Sequence, residues 1–125
     1  MILVVDDDLH VRATIRRGLV ALGYPVLEAE SGQAALDILR HEKIQLVILD
    51  YRMPGLDGAE TARGIAAIDP DLPIVFSTGH AALRALRLAA GDGIPVIEKP
   101  FTLAELDALI KETLAEARRL RPTAI

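Results

Sequence analysis

The chain has 125 residues, which suits one domain with a single core. With 51% hydrophobic and 26% charged residues it is not a disordered chain, and no apolar run approaches the roughly 20 residues that span a bilayer. A net charge of -4, 3% aromatic residues and no cysteine argue against a nucleic-acid footprint or base-stacking platform, and exclude disulfides, thiolate metal sites and thiol nucleophiles.

Residues 2–5, ILVV, read as a first strand, and three aspartates cut it off, so it is no signal-peptide core. From Leu9 the period becomes helical, with Val11, Ile15, Leu19 and Leu22 on one face and Gly23 as the stop. Residues 26–30, VLEAE, alternate like a strand with one wetter face. Ser31 reads as the N-cap of a short helix with Ala35, Ile38 and Leu39 inward. Residues 46–49 are continuously apolar, as in a strand covered on both faces.

Residues 58–68 read as a third helix with Ala62, Ile65 and Ala66 inward, ended by Asp69-Pro70. The fourth strand is expected over 73–76, followed by Ser77-Thr78-Gly79. The fourth helix is expected over 81–90 and closes at Gly91-Asp92-Gly93, and the fifth strand over 94–97. A capping box, Thr102 with Glu105, opens the last helix, whose stripe is Leu103, Leu106, Ile110, Leu114 and Ala117. Strand and helix therefore alternate five times. The expected fold is α/β, a (βα)5 flavodoxin-like, doubly wound, five-stranded parallel sheet of order 2-1-3-4-5 with helices on both faces. No Gly-x-Gly-x-x-Gly follows strand one.

In such sheets ligands bind beyond the carboxyl ends of the strands. There the sequence puts Asp6 and Asp7 after strand one, Asp50 after strand three, Thr78 after strand four and Lys99 after strand five. Two carboxylates ~4 Å apart repel by about 4 kcal/mol at an effective dielectric near 20, so a cation or a proton must sit among the three. An all-oxygen set suits Mg²⁺, with Mn²⁺ an acceptable substitute. Asp8 and Asp57 read as helix caps, and Thr78 alone would be an ordinary strand-end residue. His10, His41 and His80 show no metal-binding spacing. A cation, a free carboxylate, a hydroxyl and an ammonium together suit phosphoryl handling, in which a carboxylate can itself be the nucleophile.

The segments ILVVDDD, LVILDYRMPGLDG, PIVFSTG and VIEKPF, in this order and spacing, resemble the receiver domain of two-component response regulators over nearly the whole chain. The resemblance implies that Asp50 accepts a phosphoryl group from a phosphohistidine of a sensor histidine kinase or phosphotransfer protein. It implies that Asp7, Asp50 and the Arg52 backbone carbonyl hold Mg²⁺, with Asp6 just outside. Lys99 would pair with Asp50 and then the phosphoryl oxygens, Thr78 would swing its hydroxyl onto them, and the Gly79 N–H would lie near them. It further implies a population shift of the face made by the fourth helix, fifth strand and fifth helix (α4-β5-α5), a face that also offers a homodimer contact. Arg52 and His80 would flank the water that hydrolyses the phosphoaspartate.

The chain departs from the pattern at Val96, where receivers usually carry Tyr or Phe, which puts the usual threonine–aromatic coupling in question. Ile94-Pro95-Val96 also makes the wording closer to receivers appended to hybrid sensor kinases than to DNA-binding regulators. Two other readings compete. One is an aspartate-nucleophile phosphatase, against which Arg52 stands in the general-acid slot. The other is a receiver-like module that binds partners without phosphorylation. The expected organisation is a receiver over 1–119 and a tail or linker over 120–125, either a single-domain regulator or a domain from a longer protein. It is expected to be cytoplasmic and to contact neither nucleic acid nor membrane.

Overall fold

Residues 2–5 carry no polar side chain, and every one of them is buried. That run is β1 (Ile2–Val5) of a five-stranded parallel sheet. The computed structural model describes residues 1–90 and 93–120. After β1 come α1 (Leu9–Ala21), β2 (Val26–Ala29), α2 (Gly32–Leu39), β3 (Leu46–Asp50) and α3 (Gly58–Ile68). Then follow β4 (Ile74–Thr78), α4 (His80–Ala90), β5 (Val96–Glu98) and α5 (Leu103–Leu120). The strand order is β2-β1-β3-β4-β5, as the alternation predicts. The central strand β3 pairs with both β1 and β4, which aligns Asp50 with Ser77, while Thr78 aligns with Glu98 across β4 and β5.

Alternate strand residues feed two separate cores. Leu3, Val5, Val47, Leu49 and Phe76 pack with Ala35, Ile65 and Leu86, on the side of α2, α3 and α4. Ile2, Val4, Ile48, Val75 and Ile97 pack with Ile15, Leu19, Leu106 and Ile110, on the side of α1 and α5. Asp8 caps α1 by accepting from His10 N–H and Val11 N–H, and Ser31 caps α2. Asp57 and Glu60 form a full capping box on α3, and Thr102 and Glu105 close another at α5. Both Asp8 and Asp57 are thus structural acids. Gly23 stops α1 with φ +94°, a left-handed conformation that only glycine adopts readily.

Several boundaries and faces differ from the sequence-based expectation. β4 runs through Thr78 rather than ending at Phe76, because Ser77 and Thr78 still pair with their neighbours. β5 starts at Val96 instead of 94, since Pro95 lacks the N–H of a paired strand and contributes only its carbonyl, to Phe76 N–H. On α3 Ile65 is buried and Ala62 packs against the core as expected, but Gly58 and Thr61 are also buried and Ala66 is exposed. Leu22 and Leu103 are exposed, at the end of α1 and the start of α5. The expected turn residues Gly91 and Asp92, the tail from 121 and the side chain of His80 lie outside the described residues.

Candidate functional site

Asp6 is the first residue after β1 and is 2% exposed. Its Oδ1 accepts the Asp8 N–H at 2.9 Å, and its Oδ2 accepts from Lys99 Nζ at 3.0 Å. Asp50 ends β3, also nearly buried, with Oδ1 3.6 Å from Lys99 Nζ. Asp7 is exposed. One carboxylate oxygen from each of Asp6, Asp7 and Asp50 lies within 4.8 Å of the others. The sheet order makes this convergence, because β1 and β3 are neighbours whose ends lie side by side.

Lys99 therefore sits closer to Asp6 than to the expected partner Asp50. It leaves β5 with its backbone N–H donating to the Thr78 carbonyl at 2.7 Å and is joined to Pro100 by a cis peptide bond. Thr78 is buried, and its hydroxyl donates to the Gly79 carbonyl at 3.4 Å. Arg52 is exposed two residues after Asp50. Its loop is anchored where Gly58 N–H donates to the Tyr51 carbonyl at 2.8 Å. A Cβ at Gly58 would stand 2.6 Å from Tyr51 Cα, so this close approach requires glycine.

Burial pushes the Asp50 carboxyl up to about 6, and the negative charge of Asp6 adds to that. Lys99 and the Arg52 N–H oppose the shift without cancelling it. One ammonium among three carboxylates leaves the site short of positive charge. Three hard oxygen donors at this spacing, only partly neutralised, form an acidic cluster compatible with a divalent metal ion.

Sequence reasoning did not single out two residues at this edge. Arg12 and Glu28 lie on different elements, and their pairing shows only once α1 packs beside β2. The one available signal was an acid in the wetter face of VLEAE. Ser77, aligned with Asp50, is buried with no partner for its Oγ among the described residues.

The family model "Response regulator receiver domain" matches residues 2–111. The chain belongs to the response regulator receiver family. The receiver is 42% identical over 125 residues to the response regulator MprA of Mycolicibacterium vanbaalenii, covering 97% of this chain and 52% of that protein. It spans about half the length of the curated relatives it matches. A receiver domain protein from Clostridium thermocellum superposes with a TM-score of 0.87 at 32% identity, covering 96% of this chain and 98% of that one. The receiver domain of NtrX from Brucella abortus gives 0.85 at 30% identity, over 92% and 98%. Membership places the receiver with phosphorelay switches rather than with turnover enzymes such as the aspartate-nucleophile phosphatases. Among the described residues, no helix is long and apolar enough to cross a membrane.

Proposed function

We propose that the receiver takes a phosphoryl group onto Asp50 from a phosphohistidine of a sensor histidine kinase or phosphotransfer protein, in a Mg²⁺-dependent reaction. The observation that carries this reading is the convergence of Asp6, Asp7 and Asp50 with Lys99 at the carboxyl edge of the sheet. An Asp50 oxygen attacks phosphorus, the P–N bond breaks, and the imidazole nitrogen keeps its electron pair. The carboxylates of Asp7 and Asp50 with the Arg52 carbonyl would hold the cation, with Asp6 beside them. When bound, Mg²⁺ offsets the carboxylate charge and the charge on the transferring phosphoryl oxygens. Lys99, already at the site, moves from Asp6 onto a phosphoryl oxygen. The Thr78 hydroxyl exchanges its 3.4 Å bond to Gly79 for another phosphoryl oxygen.

These contacts bias the face of α4, β5 and α5, which serves for output or for pairing of two copies. A kinase donor of this type places the domain in the cytoplasm. Val96, half-buried beside Phe76, gives this face no ring of its own to swing behind Thr78. That feature favours a second reading, a module whose partners bind it irrespective of phosphorylation.

Acetyl phosphate with Mg²⁺ is expected to add one phosphoryl group that hydroxylamine or alkali removes, as for an acyl phosphate, read by intact-mass spectrometry. Asp50→Asn abolishes the adduct and EDTA suppresses it. An adduct that survives Asp50→Asn overturns the assignment, and a wild-type chain that stays unlabelled while kinase partners still bind it supports the second reading.

A further inference from the structure

Arg12 lies on α1, five residues after Asp7, with a side chain only 12% exposed. Its Nη1 donates to the backbone carbonyl of Asp6 at 2.8 Å, and its Nε donates to Glu28 Oε1 at 3.1 Å. The other Glu28 oxygen pairs with Arg16 Nε at 3.1 Å, so the acid on β2 is itself held. The Asp6 carbonyl belongs to the planar peptide that carries the Asp7 nitrogen and Cα, and pinning its oxygen fixes where the Asp7 side chain starts. Two N–H groups of one rigid fork, one bonded to the loop after β1 and one to β2, fix the plane of the guanidinium as well. A lysine would supply the charge without the second bond.

We propose that Arg12 is a positioning residue for the divalent cation, with Glu28 orienting it. This rests on the metal reading of Asp6, Asp7 and Asp50 above. The clamp holds the Asp6–Asp7 peptide so that the Asp7 carboxylate faces Asp50. Asp7 itself is exposed, so packing does not aim it and the backbone must.

The test is affinity for the metal alone, by calorimetry with Mg²⁺ and by the free-ion resonance signal with Mn²⁺. Melting in EDTA reports folding separately. Asp7→Asn is the control for the metal reading and is expected to lose binding. Arg12→Lys is expected to weaken Mn²⁺ binding roughly tenfold, the scale of losing an outer partner of a metal ligand. Glu28→Ala is expected to weaken it in the same direction and to add little in the double variant with Arg12→Lys. Glu28→Gln keeps an acceptor for Arg12 and should bind nearly as wild type, whereas a simple loss of negative charge would weaken Gln and Ala alike. Arg12→Lys binding Mn²⁺ as tightly as wild type, while Asp7→Asn fails, overturns the clamp alone. Asp7→Asn binding as wild type brings down the metal reading and the clamp with it. Should Arg12→Lys fail to fold, equal weakening in Glu28→Gln and Glu28→Ala overturns the proposal.

Discussion

Asp50 follows four buried apolar residues in β3 and takes its charge with it into that setting. A carboxyl raised from 3.8 to about 6 by burial holds its proton more tightly folded than unfolded. Its contribution to stability is therefore fully present below about pH 4 and lost as pH rises through about 6. Raising the carboxyl from 3.8 to about 6 corresponds to on the order of 2–3 kcal/mol. In EDTA the urea midpoint of wild type should fall relative to Asp50→Asn as pH rises from 4 to 7, and Asp50→Asn should be the more stable at pH 7. Equal stability of the two across that range would show that burial does not strain Asp50. Asp57, seven residues on, behaves differently. Its carboxylate accepts from Glu60 N–H at 2.8 Å in an exposed cap. Asp57→Ala should cost about 1 kcal/mol in urea unfolding and leave the labelling by acetyl phosphate unchanged. The acids at strand ends were legible in the sequence, because period and topology locate a strand end without any side-chain detail. The preference of Lys99 for Asp6 over Asp50 was not, since it depends on how a long side chain lies across three strand ends.

Elements meet here through glycines that the pattern of apolar residues does not explain. A Cβ at Gly58 would strike the Tyr51 backbone, whereas one at Gly64 would meet only the end of the Leu36 side chain at 3.0 Å. Backbone cannot step aside as a side chain can. Gly58→Ala should therefore destabilise by about 1–3 kcal/mol and slow phosphorylation, and Gly64→Ala should cost less than about 1 kcal/mol, both read by urea unfolding. The approach at Gly32 likewise explains why α3 buries Thr61 while Ala66 is exposed. With no side chain there, Thr61 packs inward against α2, and Ala66, small and without preference, turns out to solvent. A period of 3.6 cannot choose between an alanine and a threonine when the choice is made by a gap on another helix. Strand ends erred for a related reason. Apolar runs end where side chains turn polar, but pairing of β4 continues through Ser77 and Thr78 because their backbones still have partners.

Across the whole molecule the sheet divides two cores that share only its strands. Leu86 on α4 belongs to one and Ile110 on α5 to the other, each almost fully buried. Truncation of either to alanine should cost about 2–5 kcal/mol. If the sheet transmits stability between the layers, circular dichroism and tyrosine fluorescence should report one coincident unfolding transition in both variants. Separate transitions would mean that the two layers melt independently. The five-fold alternation made the layering legible at this scale, since each strand–helix unit must cross back over the sheet in the same hand.

The two outer strands have a consequence of another kind. β2 has four residues and β5 three, Pro25 and Pro95 precede them, and Glu28 and Glu98 lie within them. An open sheet border invites another chain to add itself, and brevity, prolines and charge all discourage that. The same Glu28 that pairs with Arg12 and Arg16 thus also helps keep crowded copies from growing into a continuous ribbon. Packing of α1 on β2 and resistance to edge-to-edge association share a residue.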